Sequence, residues 1–264
     1  GIMALLFLPL VGPFSKLVAR LVPEKAEEKK FGPAYLDEHV LATPALAVGQ
    51  ATREVLRVSD IVRDMLVNSI KVFQSDDPSL IQAVKEKDNF VDILDREIRL
   101  YLTRLSSTSL TETQSHRGVA LLEITRNLEN IGDIIDRNLM PLAAKRINKG
   151  VVFTQEGMEE IVLFHRKLVE NYDMAISAFA GHDQDLGDRV LRNKEELGIV
   201  ERELVQAHIE RLRKGLRESI ETSHIHPDII SNLARINSLI THIIYPIFEE
   251  TRGARREDAV LEKR

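Results

Sequence analysis

Apolar residues recur along most of the chain at helical spacing, and the stripes break where Pro, Gly or a capping residue stands. Leu46, Val55, Ile61, Val62, Leu66, Ile70 and Phe73 mark one face of a first helix, with Thr43 as N-cap and Pro44 as its first residue. Asp77 before Pro78 repeats that opening, so the first helix ends near Phe73 and a second runs to about Leu105. A third runs from around Thr113 to Ile147 and stops near Gly150. Its stripe is Leu121, Ile124, Leu128, Ile131, Ile135, Leu139 and Leu142. Thr154 caps a fourth.

The second half then repeats the first. Ile70, Phe73, Asp77, Leu80 and Val84 recur at an offset of 106 as Ile176, Phe179, Asp183, Leu186 and Val190, and Asp95-Arg96-Glu97-Ile98 recurs at the same offset as Glu201-Arg202-Glu203-Leu204. Asn127, Leu128, Ile131, Ile135 and Pro141 match Asn232, Leu233, Ile236, Ile240 and Pro246 at an offset of 105. Three blocks in order at nearly one spacing indicate two copies of a three-helix unit. The fold class expected is all-α: two tandem antiparallel three-helix bundles, over 43–150 and 151–250. Residues 251–264 show no apolar periodicity and read as a frayed or disordered tail.

The front of the chain differs from all this. Ile2 to Phe14 carries no charge, and Lys16, Arg20, Lys25, Lys29 and Lys30 come next, against Glu24, Glu27 and Glu28. The run is shorter than the roughly 20 apolar residues of a complete membrane helix. A signal peptide would carry its positive charges ahead of the apolar stretch. Residues 1–22 are therefore read as the end of a transmembrane helix, with the chain starting inside the last membrane helix of a longer protein and 23–42 as a linker. The basic residues place the helical body beyond them in the cytoplasm. An amphipathic or buried N-terminal helix is the alternative for so short a run.

Composition narrows the chemistry. With 44% hydrophobic but only 5% aromatic residues and no Trp, the core must be aliphatic. The absence of Cys excludes disulfides, thiolate metal sites and a Cys nucleophile, so any metal binds through oxygen or nitrogen. A net charge of -5 without a concentrated basic face sets nucleic-acid binding aside. No Gly-rich phosphate loop is visible, no Ser/His/Asp arrangement can be identified, and no enzyme activity is expected.

Asn127-Leu128-Glu129-Asn130-Ile131-Gly132-Asp133, with the preceding Asp88-x-x-x-Asp92, resembles the helix motifs of the PhoU family over roughly residues 40 to 250. The Leu-Pro-Leu run, the basic stretch and Tyr35-Leu-Asp-Glu-His39 leading into Thr43-Pro44-Ala45 resemble the junction between transporter and PhoU-like parts in bacterial sodium/phosphate cotransporters. The resemblance implies a cytoplasmic regulatory domain attached to a phosphate carrier of the inner membrane. Its partners would be the membrane, the upstream transporter domain of the same chain, whose transport sites lie ahead of Gly1, and a second copy in a homodimer. A free-standing PhoU-like adaptor that restrains phosphate uptake and signalling is the alternative.

The resemblance also implies a divalent or iron-type metal cluster on Asp88, Asp92, Glu129 and Asp133. Residues four apart share a helix face, so two such pairs on neighbouring helices make a four-carboxylate site for a hard cation. Glu129 and Asp133 lie away from their helix's apolar stripe, a position that equally suits an ordinary solvated face. The second copy has Ala234 and Ser238 at those places, and Lys194 and Gly198 where Asp88 and Asp92 stand, so any metal is confined to the first copy. Asp60 with Asp64 is read as a solvated pair, Glu221-Thr-Ser-His224 as a lone Glu-x-x-His, and His224 and His226 as an exposed turn.

Overall fold

A long helix needs a start that satisfies its first amides and a stripe to bury, and the described helices meet the first need in different ways. The computed structural model describes residues 31–261, with no strand among them. Helix α1 spans Pro44–Gln74; Pro44 needs no amide partner at this position, and the Thr43 side chain makes no capping bond. Helix α2 spans Ser79–Ser106, entered through the Asp77 carboxylate, which accepts from the Ser79 amide at 2.8 Å. Helix α3, Glu112–Ile134, opens with a reciprocal capping box between Thr111 and Gln114. It runs through a π-helical turn, Ile135–Leu139, into α4, Met140–Lys149. Pro141 has no amide and its ring would crowd a carbonyl one turn back, and the widened turn ahead of it takes up that conflict. Gly150, at φ 63°, ends the element in a left-handed cap that an L side chain resists.

The second half is built on the same plan. Thr154 caps α5, Gln155–Gly181, and Asp183 caps α6, Gln184–Arg213, at 3.0 Å each. A single turn, α7 at Arg217–Glu221, leads into α8, Ile225–Leu261. Helices α1, α2 and α3 pack on one another, as do α5, α6 and α8. The two bundles meet along α1 against α5 and α3 against α8. The tail expected at 251–264 is helical as far as Leu261, because Glu, Arg and Ala favour helix even without a stripe to bury.

The core is aliphatic as composition requires, with Val55, Val62, Leu66, Leu94, Ile98, Leu128, Ile131, Ile236 and Ile240 at 0 or 1% exposure. The expected stripes hold apart from a few edge members. Leu46 is 52% exposed, and Val58 and Met65 take the buried places on α1. The apolar run at 1–22 and the first part of the linker lie outside the described residues. No helix among the described residues is long and apolar enough to cross a membrane. The last part of the linker is fastened to the first bundle: the amides of Ala34 and Tyr35 donate to the buried Glu54 carboxylate at 2.9 and 2.7 Å, and the Tyr101 hydroxyl donates to the Asp37 carbonyl at 3.2 Å.

Two local readings need correction. Asp64 is not merely solvated, since Lys87 of α2 is ion-paired with it. His226 does not stand on an exposed turn; only His224 does. His226 is buried against His208 of α6, their rings stacked at 4.8 Å, because α8 begins directly on the end of the second bundle. Glu160 carries the Arg211 guanidinium in two bonds of 2.6 Å and lies 3.4 Å from His226 Nε2. Burial, then the charges of His226 and Arg211, pushes the His208 pKa down to about 4, with Glu160 opposing.

Phe73 and Phe179 occupy equivalent places near the ends of α1 and α5, at 3 and 6% exposure. Replacing either by Ala is expected to cost roughly 3 to 5 kcal/mol in denaturant unfolding. A loss below about 1 kcal/mol at both would show that these ends do not belong to the core. For His208 the unfolded chain binds the proton more tightly than the folded one. Stability is therefore lost as pH falls from about 6.5 to about 4, by roughly 2 to 3 kcal/mol. Relative to wild type, His208→Gln should lack this component of the pH slope, read as urea midpoints at pH 7 and pH 4.5.

Candidate metal centre

Two helices that cross closely can bury a polar side chain only where the facing residue is small. At the α2/α3 crossing that residue is Gly132. A Cβ built there would stand 2.9 Å from Asp88 Oδ1, so the glycine makes the room in which the Asp88 carboxylate sits. Asp88 is 6% exposed. One turn on, Asp92 is exposed, and Asp133 reaches across from α3 half-buried. The three offer carboxylate oxygens that all lie within 4.8 Å of one another. Of the four residues expected to act together, these three gather. Glu129 stands half-buried beside them, close enough to feel Asp133, Asp95 and Asp92, but outside that cluster. Glu129 and Asp133 lie off the apolar stripe but not on an ordinary solvated face: they edge the groove between α2 and α3, since the helices converge there.

The electrostatics arise from crowding acids where water is scarce. Burial, with Asp92, Asp136 and Asp133 in decreasing order, pushes the Asp88 pKa up to about 7, with Arg137 opposing. Glu129 is raised by burial and then by Asp133; Asp133 is raised by burial against the pull of Arg137, which pairs with it at 2.8 Å. Asp95, next on the same face, is raised by burial although Arg99 is paired with it. Asp133 Oδ1 and Asp136 Oδ1 are buried without a hydrogen-bond partner. Orphaned carboxylate oxygens beside a carboxyl held near neutrality form a donor set that suits a hard, oxygen-preferring cation. Asp88, Asp92 and Asp133 would hold it, with Glu129 and Asp136 adjacent. Sequence spacing did not single out Asp136 or Gly132; Asp136 sits in the widened π turn, where ordinary i, i+4 geometry does not apply.

Beside this group, between α3 with its π turn and α8, lies a cleft of about 410 Å³ that Asp133 also lines. The acidic face is thus continuous with the junction of the two bundles.

Residues 55–138 match the PhoU domain. That span runs from within α1 to the π turn and contains all four expected ligands. The protein described as "Putative inorganic phosphate export protein YjbB" in Escherichia coli (strain K12) is 30% identical over 247 residues, covering 93% of this chain and 45% of that protein. The protein of the same description in Salmonella typhimurium (strain LT2) is 32% identical over 244 residues, covering 92% of this chain and 44% of its own length. The chain thus spans less than half the length of these curated relatives. The crystal structure of PhoU from Pseudomonas aeruginosa superposes with a TM-score of 0.72 at 17% identity, covering 78% of this chain and 97% of that one. At that identity the likeness shows the fold.

Charge on Asp88 costs stability above its folded pKa, and the cost fades as pH falls through about 7 toward the ordinary carboxylate value. Asp88→Asn, which mimics the neutral form, should stabilise the metal-free protein at pH 8 by roughly 2 kcal/mol. That is about half of what the full displacement implies, because water reaches the cluster through exposed Asp92 and Arg137. The gain should vanish near pH 4. Urea midpoints at the two pH values test this; a destabilised variant at pH 8 would mean that Asp88 is offset by a partner.

Proposed function

We propose that this chain is a cytoplasmic regulatory PhoU-like domain of an inner-membrane protein that moves inorganic phosphate with sodium, and that it is not an enzyme. The observation that carries the reading is the similarity along 93% of the chain to the longer proteins described as "Putative inorganic phosphate export protein YjbB". The sodium coupling rests on the resemblance of the stretch from Tyr35 to Ala45 to the cotransporter junction, and the cytoplasmic side on the basic residues from Lys16 to Lys30. Within the domain, Asp88, Asp92 and Asp133, with Glu129, hold a divalent or iron-type cation. Support for this comes from the gathered carboxylates and the unpartnered Asp133 Oδ1. A cation there would draw α2 and α3 together. Since Tyr101 of α2 and Glu54 of α1 hold residues 34–37, such a change in the first bundle is transmitted to the segment leading to the membrane part.

In proteoliposomes containing the full-length natural protein, phosphate flux should require a sodium gradient, and deleting residues 43–250 should change its rate without abolishing it. Flux indifferent to both sodium and the deletion would overturn the regulatory reading. Elemental analysis of the purified chain tests the cation separately. Asp133→Asn should lose bound metal, Glu129→Ala beside the cluster should hold it more weakly, and Glu195→Ala, on the second copy, should leave it unchanged. Metal retained in full in the first two, or lost only in the third, would leave these acids as surface charge.

A further inference from the structure

The cleft between α3 and α8 takes its walls from both copies of the repeat. The offset of 105 that aligns the copies pairs Asn130 with Arg235 and Asp133 with Ser238, and all four line this cleft. In the first copy an amide and an acid stand at these two places; in the second, a base and a hydroxyl. Divergence between the copies has thus put a positive charge and a neutral donor opposite a single acid. Arg137 and Asn138 of the π turn complete the polar wall. The result is two guanidiniums, two amides and a hydroxyl against one carboxylate, within a few turns of an otherwise acidic groove.

We propose that this cleft binds inorganic phosphate, with Arg137 and Arg235 as its cationic walls and Asn130, Asn138 and Ser238 as neutral donors. Guanidinium is the side chain whose paired N–H groups match a tetrahedral oxyanion. Neither arginine is locked away: Arg137 is 61% exposed in its side chain and bonded to Asp133, and Arg235, also exposed, donates to Asn232 Oδ1 at 3.0 Å. Each can therefore turn a donor to a ligand without unfolding a core. The cleft is also of a size for a small anion with its water shell. A second polar cleft, on the second bundle, is lined by Glu156, Glu159, Glu160 and Glu210 around Arg211 and Lys214, a setting that repels phosphate.

Asp133 belongs both to this cleft and to the carboxylate group, so the two sites are coupled through it. A cation on Asp88, Asp92 and Asp133 competes with Arg137 for the Asp133 carboxylate, releases the guanidinium and strengthens phosphate binding. This coupling rests on the cation reading above; phosphate binding in the cleft does not.

The test is isothermal titration of the purified 264-residue chain with inorganic phosphate at constant ionic strength in chloride, with EDTA present or with magnesium added. Saturable binding is expected in both conditions, tighter with magnesium. Arg235→Ala, an exposed residue outside the carboxylate group, should weaken it about tenfold or more, and Arg235→Lys should recover part of the loss. Absence of saturable phosphate binding, or an affinity unchanged by Arg235→Ala in a variant with wild-type circular dichroism, would overturn the cleft as the site. Binding that needs magnesium and ignores Arg235 would place the anion on the cation alone and overturn it equally. Affinity equal with EDTA and with magnesium would overturn the coupling while leaving the Arg235 result to decide the cleft.

Discussion

The antiparallel seam between α1 and α5 is what the positions of both the acidic group and the cleft depend on. Tyr172 donates its buried hydroxyl to the Ser59 carbonyl at 2.8 Å, and His165 Nε2 donates to the Leu66 carbonyl at 2.7 Å. Seven residues separate the two donors on α5 and seven separate the two acceptors on α1, so the bonds recur every second turn and set one register. All four residues are buried. A slip of one turn would strand a phenol and an imidazole in an aliphatic interior, at a cost larger than the bonds themselves contribute. Burial also lowers the pKa of His165, which keeps it a neutral donor. In the same register α3 lies against α8. Their meeting forms the Arg137 and Arg235 walls and leaves Asp133 between them and Asp88.

Much of this plan is written in local residue patterns. Pro44, Asp77, Thr154 and Asp183 punctuate the helices because each acts on its own first turn, and the copies align because their apolar residues must fill equivalent cores. The features that were not legible depend on residues far apart in sequence. Asp88 reads as one member of an i, i+4 acidic pair, and its burial shows only when Gly132, a residue without a Cβ, is brought onto it by the α2/α3 crossing. His226 reads as part of a turn until His208 stacks on it. Leu46 fits a stripe by spacing, yet it stands where no other helix among the described residues covers α1. Periodicity reports which face of a helix is apolar; it does not report what stands opposite.

The two copies show which positions packing controls and which it leaves free. Leu128 and Leu233, Ile131 and Ile236, and Ile135 and Ile240 are paired across the repeat, and all are almost fully buried. Glu129 with Ala234 and Asp133 with Ser238 are half-buried in both copies and differ in charge. Substitution at such an edge costs little core energy, so one copy can lose its acids while the bundle persists. What would not persist for packing's sake is a carboxylate like Asp88. Its pKa near 7 means that at neutral pH and above it subtracts stability, and an amide of the same shape would remove that penalty. The second copy carries Lys194 at the equivalent place and folds alike, so the fold itself makes no demand for an acid there. A buried acid that weakens its own bundle, crowded by Asp92 and Asp133 and given room by a glycine, has its natural counterpart in a bound cation, whose charge converts the same repulsion into attraction.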